Sequence, residues 1–119
     1  MTARGRKFFV LAFWLAAAFA FVMATLPQPP ALPGQPSDKV QHVLAFSVLA
    51  VLAFTAWPWK HWLLIVVGLS AFGALIEIVQ LIPALHRDGD WIDWLADTAA
   101  VLVIAGLTYF GRRYMTRGL

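Results

Sequence analysis

A chain of 119 residues that is 61% hydrophobic and only 13% charged, with a mean hydropathy of +0.76, is too apolar for a soluble domain of its size and belongs in a membrane. The length allows one domain, residues 1–119, and the absence of cysteine excludes thiol catalysis, disulfides and thiolate metal sites. The net charge of +3 comes from basic residues scattered at segment ends, without an aromatic-interleaved basic patch, so nucleic acid is not an expected partner.

Crossing a hydrocarbon core of about 30 Å takes roughly 20 helical residues, and the sequence predicts four such spans in an all-α integral membrane bundle with short loops. The first, residues 8–26, carries no charge, and Ala16, Ala20 and Ala24 put small residues on one face for close approach of a neighbouring helix. It is expected to stay as an anchor. Its apolar run exceeds the 7–15 residues of a signal peptide, and no A-x-A cleavage site precedes LPQPP. PQPPALPGQPSDK follows, too rich in proline to be helical throughout and expected to lie on the surface as an extended loop.

The second span, residues 40–57, is interrupted only by Gln41 and His42 at its start, and WPWKH then makes a tight turn. The third, residues 62–82, carries Glu77 and Gln80 near its end. PALHRDGD forms a short loop with Gly and Asp turn signals. The fourth, residues 91–110, carries Asp93 and Asp97 near its start. Trp57, Trp59, Trp62, Trp91 and Trp94 fall near span ends, as interfacial belts do.

Four spans place Arg4, Arg6, Lys7, Lys60, Arg112, Arg113 and Arg117 on one side and only Lys39 and Arg87 on the other. By the positive-inside rule both termini and the WPWKH turn are cytoplasmic. All six acidic residues, Asp38, Glu77, Asp88, Asp90, Asp93 and Asp97, belong to the opposite half.

Helical spacing aligns them further. Asp38 and His42 share a face, as do Ser70, Gly73, Glu77 and Gln80 on the third helix and Asp90, Asp93 and Asp97 on the fourth. Counting about 1.5 Å per residue from a boundary at Asp38, Pro83 and Asp90, His42 lies about 6 Å in, Glu77 about 9 Å and Asp97 about 10 Å. That is one layer. An unpaired charge near the centre of a membrane helix costs at least about 2.5–3.5 kcal/mol, so these stripes are expected to face inward, where Arg87, Lys39 and His42 offset some carboxylates and protons offset others. Asp88 reads as a solvated turn residue, and Arg87 with Asp90 as a loop ion pair.

The motifs DKVQHVLAF, GALIEIVQ and RDGDWIDWLAD, in this order at the ends of three successive spans, resemble the VanZ-like family of small bacterial membrane proteins, named for a protein associated with low-level teicoplanin resistance. The likeness covers residues 38–106 and marks Asp38, Lys39, His42, Glu77, Gln80, Arg87, Asp90, Asp93 and Asp97 as a binding site. The family commonly has Asn where this chain has Asp97, and Gly where it has Ala100. The resemblance implies a multi-pass protein of the bacterial cytoplasmic membrane with a role at the cell envelope. It names a site rather than a reaction.

Three functions follow as expectations. The first is binding of a membrane lipid or lipid-linked envelope molecule whose polar head sits at the outer leaflet. The second is a membrane hydrolase or transferase using the His, Glu and Asp residues. Against catalysis, Ser47 and Ser70 lie off the cluster and Thr98 turns away from Asp97 by about 100°. With one histidine in the layer and His86 in a loop, no metal or cofactor is expected. The third is a structural subunit of a membrane complex, in which the polar layer specifies helix register; a homo-oligomer is compatible with all three.

Overall fold

The computed structural model describes residues 1–27, 33–34 and 37–118. Most of the expected proline-rich surface loop lies outside them. The described residues form four helices, α1 (Ala3–Thr25), α2 (Asp38–Ala56), α3 (Trp62–Gln80) and α4 (Trp91–Arg117), with a single 3-10 turn at Pro83–Leu85 between the last two. Even the shortest, at 19 residues, extends about 28 Å. All four are long and apolar enough to cross a membrane.

Helix limits follow capping chemistry rather than hydropathy. Thr2 accepts a hydrogen bond from the Gly5 amide, so α1 starts before the apolar run and takes in Arg4, Arg6 and Lys7. Ser37 caps α2 through Val40, and Asp90 caps α4 through Ile92. At the other end of α3, Ile82 is extended before Pro83, which disfavours helical backbone in the residue it follows, and the helix stops at Gln80. Helix α4 continues through the basic segment to Arg117. Arginine is a good helix former, so the end of the apolar run is not the end of the helix.

The pairing of helices is less obvious from their order. Lys39 meets Asp93 and His42 meets Asp97 at one end, while Arg112 donates to the Phe54 carbonyl at 2.9 Å at the other. Helices α2 and α4 are therefore parallel neighbours. Helix α3 runs antiparallel to α4, linked through Ser70, Trp94 and Thr98, and α1 lies mainly on α2.

The core is built from α2 (Phe46, Leu49, Ala50, Ala53, Phe54), α3 (Ile65, Val66, Leu69, Ile76) and α4 (Val101, Ala105). Helix α1 buries only Phe13, with Ala16, Ala17, Phe21 and Ala24 packed against the core. Its Leu11, Trp14, Leu15 and Phe19 are each about 60% exposed, an apolar surface suited to lipid contact.

The tryptophans divide. Trp62 and Trp91 are exposed at the starts of α3 and α4 and Trp59 in the turn between α2 and α3, beneath the Arg6 guanidinium, positions compatible with a belt. Trp94 is half-buried and donates its indole N–H to the Ser70 carbonyl at 3.0 Å, so it also ties α4 to α3. Trp57 is likewise half-buried, packed edge-on against Phe13 and Trp14.

Candidate functional site

The polar residues gather where α2 and α4 begin and α3 ends. Capping by Ser37 places Asp38, Lys39 and His42 in the first turns of α2. The connection from α3 to α4 is folded tightly against α3: Pro83 opens the 3-10 turn, His86 takes a left-handed conformation at φ 49°, and Gly89 lies on the last turns of α3. A Cβ at position 89 would stand 2.8 Å from Leu81 Cδ2 and 3.1 Å from the Glu77 carbonyl oxygen. That close approach lets the Asp90 amide donate to Glu77 Oε2 at 2.8 Å.

Two layers result. In the more exposed one, Lys39 Nζ lies 2.6 Å from Asp93 Oδ1 and 3.8 Å from Asp90 Oδ2, and Arg87 lies 3.5 Å from Asp38 Oδ1 while also donating to the Leu26 carbonyl at 3.4 Å. Arg87 therefore pairs with the start of α2, and the loop pair with Asp90 considered from sequence is replaced by Lys39 with Asp90.

Beneath this rim the groups are buried. His42 Nδ1 stands 3.2 Å from Asp97 Oδ2 and 3.9 Å from Glu77 Oε1. His42, Glu77 and Asp97 are 7%, 8% and 0% exposed, and each offers a ligand atom within 4.8 Å of the other two. The depth count from sequence placed these three in one layer, and they are in contact. Gln80 is buried too, but its amide points to α1, donating to the Ala24 carbonyl at 2.8 Å. Among the described residues Glu77 Oε1, Gln80 Oε1 and Asp97 Oδ1 are buried without a hydrogen-bond partner.

All nine residues singled out from sequence thus lie at this end of the bundle, with Gln80 turned toward α1. Asp88, expected in solvent, is exposed. Gly73 belongs with them: a Cβ there would lie 3.4 Å from both Phe46 and Trp94 and 3.5 Å from Asp97 Oδ2. Its place on the stripe with Glu77 was the available signal. Gly89 and Trp94 were missed, because a loop glycine and a helix-end tryptophan have commoner explanations.

The hydroxyls are occupied elsewhere. Ser70 and Thr98 bond each other at 3.0 Å, and Ser47 donates to the Val43 carbonyl in its own helix. Neither arrangement supplies an activated nucleophile beside the buried histidine.

A groove of about 320 Å³ runs between α1 and α2 up to this layer. Ala16, Phe19, Ala20, Met23, Leu44 and Val48 form its apolar wall, and Asp38, His42 and Arg87 stand at its polar end. The alanine spacing read as a close-packing face is partly that: Ala16 and Ala24 pack on the core, and together with Ala20 they also line the groove. Comparison with family models, curated proteins and solved structures finds no match to this chain.

Proposed function

We propose that the chain is a VanZ-like protein of the bacterial cytoplasmic membrane that binds an amphiphilic envelope molecule, its apolar part in the groove between α1 and α2 and its anionic head at the outward-facing rim. The observation that carries this reading is the composition of the groove, apolar along the helices and ending at Arg87, Asp38 and His42. Ligand sites of this kind combine an apolar wall with a few convergent polar groups.

A guanidinium is suited to this task. It presents a planar fork of donors that matches phosphate or carboxylate oxygens, and it stays charged. Among the described residues Arg87 is held by Asp38 at 3.5 Å and by a long bond to the Leu26 carbonyl. An anionic head displaces Asp38, whose side chain is 56% exposed and returns to water. Teicoplanin-related protection, the association carried by the resemblance, would follow if the bound molecule is a lipid-linked wall precursor.

Native mass spectrometry of the detergent-purified chain tests the proposal. Wild type should retain a phospholipid or lipid-linked adduct. Arg87→Ala should weaken it by roughly 10- to 100-fold, the worth of one charge-assisted hydrogen-bonded contact of about 1.5–3 kcal/mol, and Ala20→Leu should weaken it by filling the groove. Equal adduct occupancy in all three proteins sinks the idea.

A further inference from the structure

From the buried layer below the rim we infer a divalent metal site, formed by His42, Glu77 and Asp97 and suited to a first-row ion such as Zn²⁺. The inference does not rest on the head-group reading. Three observations converge on it. The first is geometric: one potential ligand comes from each of α2, α3 and α4, and the three ligand atoms lie within 4.8 Å of one another. A four-coordinate ion with Zn–N and Zn–O distances of about 2.0–2.2 Å requires ligand atoms about 3.3–3.6 Å apart. His42 Nδ1 is 3.2 Å from Asp97 Oδ2 and 3.9 Å from Glu77 Oε1, so closing on an ion takes a few tenths of an ångström at the histidine and up to about 1.5 Å between the two carboxylates, whose oxygens lie within 4.8 Å.

The second is the unmet bonding capacity. Asp97 is fully buried with Oδ1 unpartnered, and Glu77, 8% exposed, directs its unpartnered Oε1 toward the imidazole from beyond hydrogen-bond reach. Buried polar atoms in native proteins are ordinarily bonded, and two buried carboxylates beside one histidine, each with an oxygen unpartnered among the described residues, form a donor set suited to a cation.

The third is charge. Lys39 is engaged by Asp93 and Asp90, and Arg87 by Asp38. Among the described residues the cationic side chain paired with ionised Glu77 and Asp97 is then His42, and one divalent ion offsets both carboxylates while leaving the imidazole neutral and able to ligate. The same comparison separates this triad from the overlapping one of Asp38, His42 and Asp93, in which each carboxylate already has a cationic partner and Asp38 is exposed. Three protein ligands leave a fourth position for water or another oxygen donor, the pattern of reactive rather than purely structural zinc sites.

The experiment is a Zn²⁺ titration of the full chain, purified in detergent and stripped with a chelator, with metal content read by elemental analysis and affinity by competition with a chromophoric chelator. One Zn²⁺ per chain is expected. Glu77→Gln and Asp97→Asn should each weaken binding by at least about 100-fold, beyond the 10- to 100-fold typical of groups outside the coordination shell, while Asp88→Asn, altering an exposed turn, should change it by less than about threefold. A wild-type chain that takes up no Zn²⁺ overturns the inference and leaves protons to offset the carboxylates; a Glu77→Gln protein that binds as tightly as wild type overturns it as well. Should the variants fail to assemble, Co²⁺ added to the wild-type chain decides. Visible absorption bands that Zn²⁺ bleaches support the site, and their absence refutes it.

Discussion

Two glycines at the site do different work, and the difference can be measured. Around Gly73 the nearest atoms to an added Cβ lie at 3.4–3.5 Å, which is ordinary van der Waals contact, so Gly73→Ala fills space that is already free. At Gly89 the corresponding atoms are Leu81 Cδ2 at 2.8 Å and the Glu77 carbonyl oxygen at 3.1 Å, and the second is backbone in a helix that does not yield. Gly89→Ala must turn Leu81 aside and move the loop a few tenths of an ångström off α3, straining the hydrogen bond from the Asp90 amide to Glu77 Oε2. Overpacking of this kind costs about 1–3 kcal/mol. Unfolding in mixed micelles should therefore show Gly89→Ala destabilised by that amount and Gly73→Ala close to wild type. The reverse order would mean that the tight loop is not what holds Glu77 in place. Larger residues at Gly73 are another matter, since Phe46, Trp94 and Asp97 all surround the position.

At the scale of helices, the two faces of α4 can be told apart through its tryptophans. Trp94 turns toward α3 and gives its indole N–H to the Ser70 carbonyl, whereas Trp91, one turn earlier, is 67% exposed. Hydrogen bonds between membrane helices average about 0.6 kcal/mol and reach about 1.7. Trp94→Phe should lower stability within that range and Trp91→Phe should not, as judged by the same micellar unfolding. Equal effects would mean that the indole hydrogen bond does not help hold α4 on α3. This is also where the sequence was least legible. Apolar runs located every span, because lipid solvates whatever is apolar over about 20 residues, and helical spacing put His42, Glu77 and Asp97 at a common depth. Neither signal reports which helix faces which. That α2 and α4 lie parallel and adjacent follows from side-chain pairing, Lys39 with Asp93 and Arg112 with the Phe54 carbonyl, and no run of hydropathy encodes it. Partner choice at the rim was hidden for the same reason: Arg87 reaches Asp38 across 49 residues, not the nearby Asp90.

For the molecule as a whole, the governing property is its separation of charge. Seven basic residues, Arg4, Arg6, Lys7, Lys60, Arg112, Arg113 and Arg117, occupy one end of the bundle, and all six acidic residues occupy the other, accompanied only by Lys39 and Arg87. Those two are not free topological signals, since both are held by carboxylates. Loops rich in Lys and Arg stay in the cytoplasm, and acidic residues oppose this only weakly. The polar end of the α1/α2 groove should then face away from the cytoplasm, within reach of envelope molecules. The chain contains no cysteine, so a single introduced thiol reports its own side without background. Asp88→Cys lies in the exposed connection between α3 and α4, and Thr116→Cys in the exposed last turn of α4. In intact spheroplasts a membrane-impermeant maleimide should label Asp88→Cys, and Thr116→Cys should react only after the membrane is opened. The opposite pattern would place the groove's polar end in the cytoplasm, and the bound amphiphile would have to be sought on the inner leaflet.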